Sequence, residues 1–383
     1  MTAVRSKSGN LLWGSAGLGL LGVLATFALA GAERFWANWV LWFVYLLTIA
    51  LGALFIVALE HLVGAKWSVP LRRVPERLAT LLLMLAPVAV VSLGAILVLY
   101  PGAKPEAAQD KVLAGKALWL GFPFFSARVI LFLVLWLVAL AIFVRGSLRQ
   151  DDTKDPAFNL KARRFAPLFM FIFAFGITAV SFDWISGLEP KWYSDIFGVY
   201  LFAGAFLSGL AATALSILFL QRQGRLLEVK RDHLYNVGAF LFAFTVFWSY
   251  IGFAQYLLMW YGDMPEEIVW YKERIQGPWL GLVFLIILVN FIIPFFALMP
   301  RDAKGAPQRL RWVAGLMLLG HFVDLYWLIF PALGKGLLLS WPEVSFALFF
   351  GSAALLWVRG AMGLGQDMPV GDPFLKEGLE FRL

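Results

Sequence analysis

The sequence predicts an all-α polytopic membrane protein with about ten transmembrane helices. Its 383 residues are 61% hydrophobic and only 15% charged, whereas a soluble domain of this size carries roughly a quarter charged residues. Runs of about 20 apolar residues, long enough to cross the hydrocarbon core as helices, recur along the whole chain. No soluble domain is left over once these runs are marked, so we expect residues 1–383 to form a single integral membrane domain.

The predicted helices follow the apolar runs. They cover residues 11–30, 39–60, 78–100, 120–144, 165–182, 195–220, 237–259, 279–300, 312–333 and 343–360. The first run lacks a convincing cleavage site before an extramembrane domain, so we expect it to be retained as a helix and not removed as a signal peptide. The 17 Trp and 36 Phe are typical of lipid-facing surfaces and interfacial aromatic belts.

Lysine and arginine are distributed unevenly among the connections. The N-terminus with Arg5 and Lys7, the C-terminal tail and every second connection together hold 23 of them, and the other connections hold 8. Because connections rich in Lys and Arg stay in the cytoplasm, both termini are predicted to be cytoplasmic. The same asymmetry explains the formal net charge of +8, so the basic composition does not require a nucleic-acid partner.

Two groups of four helices are predicted to share one orientation. Helices 2–5 occupy residues 39–182 and helices 6–9 occupy residues 195–333, and both groups begin outside and run inward. Helix 5 ends with Asp183 followed by a Trp, and helix 9 contains Asp324 with a Trp one turn later. This pattern indicates a parallel duplication into two four-helix bundles, with helices 1 and 10 as flanks.

The scarcity of cysteine and histidine limits the cofactors that the chain can hold. Cysteine is absent, which excludes disulfides, thiolate-ligated zinc and iron–sulfur clusters bound by this chain. Histidine occurs only at His61, His233 and His321. The first two lie at predicted cytoplasmic helix ends, which leaves one histidine inside a helix, whereas bis-His haem needs two that face each other. We therefore expect no metal and no redox cofactor on this chain.

Arg128 is the first charged residue that the sequence places inside the bilayer. It lies about eight residues into helix 4, or about 12 Å deep at 1.5 Å per residue. A charge at such a position costs at least about 2.5–3.5 kcal/mol, so it needs a partner. Arg128 either pairs or snorkels within its bundle, or it binds a carboxylate or a quinone carbonyl.

His321 and Asp324 are three residues apart in HFVDLYW and share one face of helix 9. A buried histidine with a carboxylate one turn away can take up and pass on a proton near neutral pH. The same pair also suits a structural polar contact between the bundles. A third interpretation joins Asp324 to Arg128, which lies at a similar depth; this would hold Asp324 charged and make it a poor proton carrier.

Three further ionisable residues lie near the predicted helix ends. Asp183 is at the outer end of helix 5, and Glu60 and His61 are at the inner end of helix 2. Together with His321 and Asp324 they mark the outlet, centre and inlet of a candidate proton path. Charges at helix ends cost little, so they also suit a purely structural role.

Helix 7 adds uncharged polar candidates. Gln255 and Tyr256 precede MWYGDMPEE, and they either contact a quinone or make interhelical hydrogen bonds. In helix 8, Asn290 and Pro294 predict a kink whose freed carbonyls need other partners.

Six blocks give the chain a resemblance to a known family. They are AKWSVPLRRVPERL (65–78), FFSARVILFLVLW (124–136), SFDWISGLEPKWYSDIFGVY (181–200), FWSYIGFAQYLLMWYGDMPEE (247–267), NFIIPFFALMPRDAK (290–304) and HFVDLYW (321–327). The chain resembles a polytopic membrane subunit of bacterial alternative complex III, a quinol:cytochrome c oxidoreductase, and more broadly the NrfD/polysulfide-reductase-type membrane subunits. It departs from that pattern at Lys191, where the block usually has His, and at Asp263, where it usually has Asn.

The resemblance implies a subunit of the bacterial inner membrane without a redox cofactor of its own. Its partners are then a homologous membrane subunit, which is usually assigned the quinol site, an iron–sulfur subunit, and monohaem and multihaem cytochrome c subunits that carry the electrons. Such a chain supports quinol oxidation and proton translocation, either as a non-catalytic subunit or as one that interacts with quinone.

Two other functions stay open on the sequence. Duplicated bundles with buried charges are also typical of secondary transporters, although the spans lack paired Gly/Pro-broken helices near the midplane. A quinol-oxidising anchor for a molybdenum-enzyme partner is the other alternative.

Overall fold

The computed structural model describes residues 2–263 and 265–383, with the side chains of residues 2–8 and of Glu266 outside the description; the predicted cytoplasmic charges Arg5 and Lys7 are among these. The chain is 83% helical, and the described residues contain no β-strand. Within these residues, ten helices are long and apolar enough to span a membrane. The predicted fold class, an all-α polytopic membrane protein, is therefore confirmed.

The ten spanning helices are numbered α1 to α10 along the chain. They are α1 Thr2–Leu29, α2 Ala32–Val63, α3 Arg73–Leu99, α4 Phe122–Thr153, α5 Ala157–Leu188, α6 Phe197–Arg222, α7 Arg231–Gly262, α8 Pro278–Leu298, α9 Pro307–Leu333 and α10 Trp341–Met362. Several begin earlier than the apolar runs, because polar residues can continue a helix beyond the membrane core. In α7, for example, the backbone N–H of Lys230 donates to His233 Nδ1 at 3.1 Å and caps the polar first turn.

The spanning helices pack in two sets of four. In the first set, α2 and α4 each contact both α3 and α5; in the second, α6 and α8 each contact both α7 and α9. The sets meet through α2–α6, α5–α6 and α2–α9 contacts, while α1 and α10 pack against each other at the side. We interpret these contacts as two four-helix groups, α2–α5 and α6–α9, with α1 and α10 as a flanking pair.

The centre of the molecule is the close crossing of α2 and α6. A Cβ atom added at Gly52 would overlap the Ala205 carbonyl oxygen, and one added at Gly209 would lie 2.6 Å from the Gly52 carbonyl carbon. Two glycines therefore allow the backbones to touch, as small residues do in membrane helix pairs. The crossing fixes the two groups relative to each other.

Helix α8 is irregular at the predicted kink. A π-helical turn spans Leu288–Ile292, and Pro294 follows in the next turn. Helix α8 packs against α9 along its whole length, but it packs against α7 only from Leu288 onward and not through its first half, Pro278–Ile287. Helix α7 and the first half of α8 are joined by the short helix Pro265–Arg274, which we call the linker helix. This arrangement leaves space between α7 and α8.

The C-terminal segment, residues 363–383, folds back onto the basic connections. Asp372 forms a buried ion pair with Arg72, and His233 Nε2 lies 2.9 Å from the Gly378 carbonyl oxygen. The α2–α3 and α6–α7 connections and the C-terminal segment therefore lie together on one face, which we call the basic face. The Ser181–Tyr200 stretch lies at the opposite end of the helices.

Candidate ligand site between α7 and α8

A cavity of about 660 Å³ lies among α6, α7, α8, α9 and the linker helix. Its walls are mainly apolar and aromatic, with few polar groups. They are formed by Tyr200, Trp248, Ser249, Gly252, Phe253, Gln255, Tyr256, Tyr271, Ile275, Leu280, Val283, Ile286, Ile287, Phe291, Asp324, Trp327 and Leu328. This size and composition are those of a site for a small amphipathic molecule.

Among the described residues, Asp324 supplies the one carboxyl group of this cavity. Its side chain is buried, and its Oδ1 accepts a hydrogen bond of 2.6 Å from the Tyr200 hydroxyl. In the described part of the chain, no Lys, Arg or His nitrogen lies within 4 Å of the carboxylate oxygens. The Trp248 side chain is a second hydrogen-bond partner of this carboxylate, so a ligand that donates hydrogen bonds would share Asp324 with Tyr200 and Trp248.

A second acceptor comes from α7. Gln255 is 4% exposed, and its amide oxygen has no hydrogen-bond partner among the described residues. Its side chain contacts Tyr271 of the linker helix, whose ring packs edge-on against Tyr256 at 5.4 Å. A buried acceptor without a partner costs free energy, so a ligand donor at this position would be stabilised.

The cavity borders the lipid-facing surface. Phe253 and Tyr256 on α7, and Leu280 and Ile287 on α8, line the cavity and are each about 40% or more exposed. These side chains surround the gap that the divergence of α7 and α8 leaves. The lining of the cavity therefore extends to the lipid-facing surface of α7 and α8.

The linker helix is fixed over the cavity by Arg274. This guanidinium is fully buried, pairs with the Glu189 carboxylate, donates to the Leu328 carbonyl oxygen at 3.0 Å and stacks on the Trp270 ring at 3.8 Å. Burial lowers the pKa of Arg274, and the Glu189 carboxylate opposes that effect. In addition, Trp327 Nε1 donates to the Arg274 carbonyl oxygen at 3.0 Å.

The polar and aromatic stretch 181–200 supplies the other half of this anchor. Trp192 stacks on Trp270 with ring centroids 4.2 Å apart, and Glu189 comes from the same stretch. In the sequence this stretch is one of the six blocks that carry the family resemblance, whereas Arg274 is one connection charge among others. The available signal for Arg274 is that it lies within four residues of two aromatic residues, Trp270 and Tyr271.

Arg128 has its partner within the first group of helices. Its Nε and Nη2 donate to the two carboxylate oxygens of Asp183 at 3.0 and 2.8 Å, and Nη2 also donates to the Trp119 carbonyl oxygen at 2.8 Å. The guanidinium stacks on the Trp119 ring at 3.8 Å. The predicted Arg128–Asp324 ion pair is therefore wrong, because the two residues belong to different groups and each takes a nearer partner.

The first group of helices has much less free space beside its buried carboxylate than the second group has beside Asp324. The space beside Arg128 and Asp183 amounts to only about 20 Å³, against about 660 Å³ beside Asp324. Asp183 is 2% exposed and both its oxygens are bonded to Arg128. The candidate outlet of the proton path is thus a buried, paired carboxylate.

His321 faces the contact between the two groups and does not line the cavity. Its Nε2 lies 2.8 Å from the Thr48 hydroxyl of α2, and a Cβ atom added at Gly204 of α6 would lie 2.9 Å from its ring. Its Nδ1 has no partner among the described residues. His321 and Asp324 share a helix as predicted, but their side chains bind different partners.

Glu60 and His61 lie at the basic-face end of α2, well away from His321. Thr48, the contact of His321, precedes Glu60 by twelve residues, which is about 18 Å along a helix. His61 stacks on Phe143 with ring centroids 5.7 Å apart, and one Glu60 oxygen and His61 Nε2 have no partner among the described residues. The described side chains do not connect these residues to His321 by hydrogen bonds.

The described part of the chain contains no cluster of metal ligands. No three His, Cys, Asp or Glu side chains in the described part of the chain gather closely enough to hold a metal ion.

Comparison with known proteins finds no family model that matches the chain and no curated protein that is similar to it.

Proposed function

We propose that this chain is an integral membrane subunit of a respiratory quinol:cytochrome c oxidoreductase of the alternative complex III type, and that quinol binds between α7 and α8. The observation that carries the proposal is the cavity of about 660 Å³ with the Tyr200–Asp324 pair in its wall. The six sequence blocks that resemble a membrane subunit of that complex support the choice.

The polar groups of the cavity favour the reduced form of the ligand. A quinol has two hydroxyl donors, whereas a quinone has only acceptors. The carboxylate of Asp324 and the unpartnered amide oxygen of Gln255 are both acceptors, so they match the hydroxyl groups of a quinol. Tyr200 uses its hydroxyl to hold the Asp324 carboxyl in place.

Oxidation of one quinol to quinone releases two electrons and two protons. Asp324 lies where it can accept a proton from a bound hydroxyl group, because its carboxyl borders the cavity and has no basic partner. The electrons pass to the iron–sulfur and haem c subunits that the family resemblance implies as partners. This chain then contributes ligand binding and proton handling, with His321, Asp183, Glu60 and His61 as further proton-transfer candidates.

The topology follows from the positive charges. With the basic face in the cytoplasm of a bacterial cell, the ends of α7 and α9 near the cavity face the periplasm. Asp324 is nine residues from the end of α9, so protons released from the cavity have a shorter way to the periplasmic side. The quinol tail extends into the bilayer through the gap beside Phe253 and Ile287.

A secondary transporter is the alternative that one observation favours, namely the two similar sets of four helices that meet at α2 and α6. The anchor of a molybdenum-enzyme complex predicts the same cavity but different soluble partners. Co-purification separates these functions.

The test is to solubilise the membranes in mild detergent and purify the chain through a tag. The proposal predicts haem c absorbance and an iron–sulfur subunit in the same fraction, and binding of a quinol analogue that Asp324→Asn weakens. Asp302→Asn is a matched control, since Asp302 is exposed and pairs with Arg231 at the basic face. A chain that purifies alone and binds no quinol analogue would contradict the proposal.

A further inference from the structure

The carboxylate of Asp324 has two hydrogen-bond donors but no cationic partner among the described residues. The Tyr200 hydroxyl donates to it at 2.6 Å, and the Trp248 side chain is the second donor. Both donors are neutral, so they hold the carboxylate in place without balancing its charge. Buried charges in proteins are normally paired, and this site therefore favours a ligand that brings a positive charge.

The first group of helices shows how the chain itself satisfies such a carboxylate. Asp183 binds the guanidinium of Arg128 through both oxygens, at 3.0 and 2.8 Å. The same guanidinium stacks on the Trp119 ring at 3.8 Å and lies 4.6 Å from the centroid of the Phe124 ring. A planar cation, a carboxylate and aromatic rings form one closed unit there, with only about 20 Å³ of free space beside it.

Around Asp324 the described residues supply the carboxylate and the aromatic rings but no cation. Asp324 lies on α9, the last helix of the second group, and Asp183 lies on α5, the last helix of the first. Arg128 comes from α4, the third helix of its group. Helix α8, the third helix of the second group, contributes five apolar residues to the cavity wall and no charged one. The second group thus has a cavity where the first has a guanidinium.

The walls of this cavity suit an organic cation better than a metal ion. The rings of Trp248, Tyr271 and Trp327 line it, and the face of such a ring attracts a cation within about 6 Å of its centroid, more strongly where water is excluded. In the described part of the chain, no three side chains gather as ligands of a metal ion. One carboxylate among aromatic rings matches a guanidinium or ammonium group.

We propose that the cavity between α7 and α8 binds an amphipathic organic cation, with its guanidinium or ammonium head beside Asp324. The head takes the place in the second group that Arg128 takes in the first. Its N–H groups donate to Asp324 and to the unpartnered amide oxygen of Gln255, and its apolar part lies against Phe253 and Ile287. This cation competes with the proposed quinol for the same space, but its binding does not rest on quinol being the natural ligand.

The charge of Asp324 separates this occupant from others of the same shape. A neutral amphiphile would fill the apolar walls equally well but would leave the carboxylate without a counter-charge. An anionic amphiphile would place its own charge against that carboxylate. An organic cation matches the apolar walls and Asp324 together.

The experiment compares two probes of nearly equal shape, octylguanidinium and its neutral analogue octylurea. Their binding to the purified protein in mild detergent, together with any subunits that co-purify, is measured by isothermal titration calorimetry. We expect octylguanidinium to bind about tenfold or more tightly than octylurea, and to displace a quinol analogue where one is bound. Asp324→Asn removes this preference. The matched control Asp195→Asn, at an exposed aspartate of the 181–200 stretch, keeps it.

A second variant tests the site with Asp324 in place. Val283 lines the cavity from α8, so Val283→Arg brings an internal guanidinium to the wall, as Arg128 does from α4. We expect this variant to lose octylguanidinium binding and Val283→Leu to keep it. If Asp324→Asn does not fold, the two Val283 variants and the two probes on the unaltered protein decide the matter.

Three results would overturn the proposal: equal binding of both probes by the unaltered protein, an unchanged preference in Asp324→Asn, or simultaneous binding of octylguanidinium and the quinol analogue. The quinol site fails separately. A protein that prefers octylguanidinium but binds no quinol analogue would support the cation site and contradict the quinol site. A protein that binds the quinol analogue without preferring octylguanidinium would do the reverse.

Discussion

The Tyr200 hydroxyl donates a 2.6 Å hydrogen bond to Asp324 across the contact between α6 and α9. Both residues line the cavity between α7 and α8, and neither has a charged partner among the described residues. The pair joins the ligand cavity to the helix contact at the centre of the molecule. It is therefore the most sensitive place at which to test the proposed function.

Tyr200→Phe removes this hydrogen bond without changing the shape of the ring. We expect the protein to fold with a loss of about 1–3 kcal/mol in stability, because Asp324 then loses the Tyr200 donor and keeps only Trp248. Binding of a quinol analogue should weaken roughly tenfold, as followed by the fluorescence of Trp248 and Trp327 in the cavity wall. Tyr250→Phe, at an exposed tyrosine of α7, should bind normally; equal weakening in both variants would count against the prediction.

Asp324→Asn keeps the size of the side chain and removes its capacity to take a proton. Proton-coupled turnover of the complex should fall strongly, while the yield of assembled complex stays close to that of the unaltered protein. The measurement is quinol oxidation together with the membrane potential in proteoliposomes. Normal oxidation with an unchanged potential would remove Asp324 from the proton path.

The Arg128–Asp183 pair should behave as a structural unit. Arg128→Ala leaves the buried Asp183 carboxylate unpaired and should lower stability by about 3–5 kcal/mol, with a corresponding loss of purified protein. Arg128→Met combined with Asp183→Leu replaces both charges with apolar groups and should recover most of that loss. Thermal unfolding of the purified variants checks this, and a double variant as unstable as the single one would contradict it.

Several of these relationships follow from sequence and several do not. The ten helices are predictable because an apolar run of about 20 residues in a bilayer satisfies its backbone hydrogen bonds by forming an α-helix. The partner of Arg128 is not, because the predicted depth matches Asp324, whereas Asp183 is predicted at the outer end of its helix. Asp183 is the partner because α4 packs against α5. That helix contact cannot be read from a single sequence.

The cavity is also beyond the reach of sequence patterns. Asn290 and Pro294 predict an irregular α8, but not that its first half leaves α7 and packs on α9. Gln255 and Tyr256 are identifiable as polar residues of α7. They line one cavity with Asp324 because α7 and the first half of α8 diverge. For His321 the predicted spacing from Asp324 is correct, but the predicted contact is not. Its side chain lies against the Thr48 hydroxyl of α2 and does not face the cavity.

Arg274 should control the linker helix and hence the ligand. Arg274→Ala removes the contacts with Glu189 and with the Leu328 carbonyl oxygen, which frees the segment that carries Tyr271. We expect faster dissociation of the quinol analogue and greater hydrogen exchange in Pro265–Arg274. Lys272→Ala, at an exposed position of the same helix, is the control, and unchanged exchange in the Arg274 variant would refute the anchoring role.

The C-terminal segment should make stability depend on acid pH. Burial raises the pKa of Asp372, but the Arg72 guanidinium together with hydrogen bonds from Phe374 and Asn159 outweighs burial, so the net pKa lies below the ordinary value of 3.8. A carboxylate with a lowered folded-state pKa stabilises the protein fully above pH 3.8, and this stabilisation is lost as the pH falls through the folded-state pKa. Thermal unfolding between pH 3 and 7 should therefore show an acid loss that is smaller in Asp372→Asn; equal loss would exclude the pair as its source.

The most direct test of the central claim is photoaffinity labelling with an azido-quinone, followed by mass-spectrometric mapping of the modified residues. The claim that quinol binds between α7 and α8 predicts label on the wall residues around Phe253, Tyr256 and Ile287, displaced by excess quinol and reduced in Tyr200→Phe. Label confined to the first group near Arg128, or label that excess quinol does not displace, would contradict it.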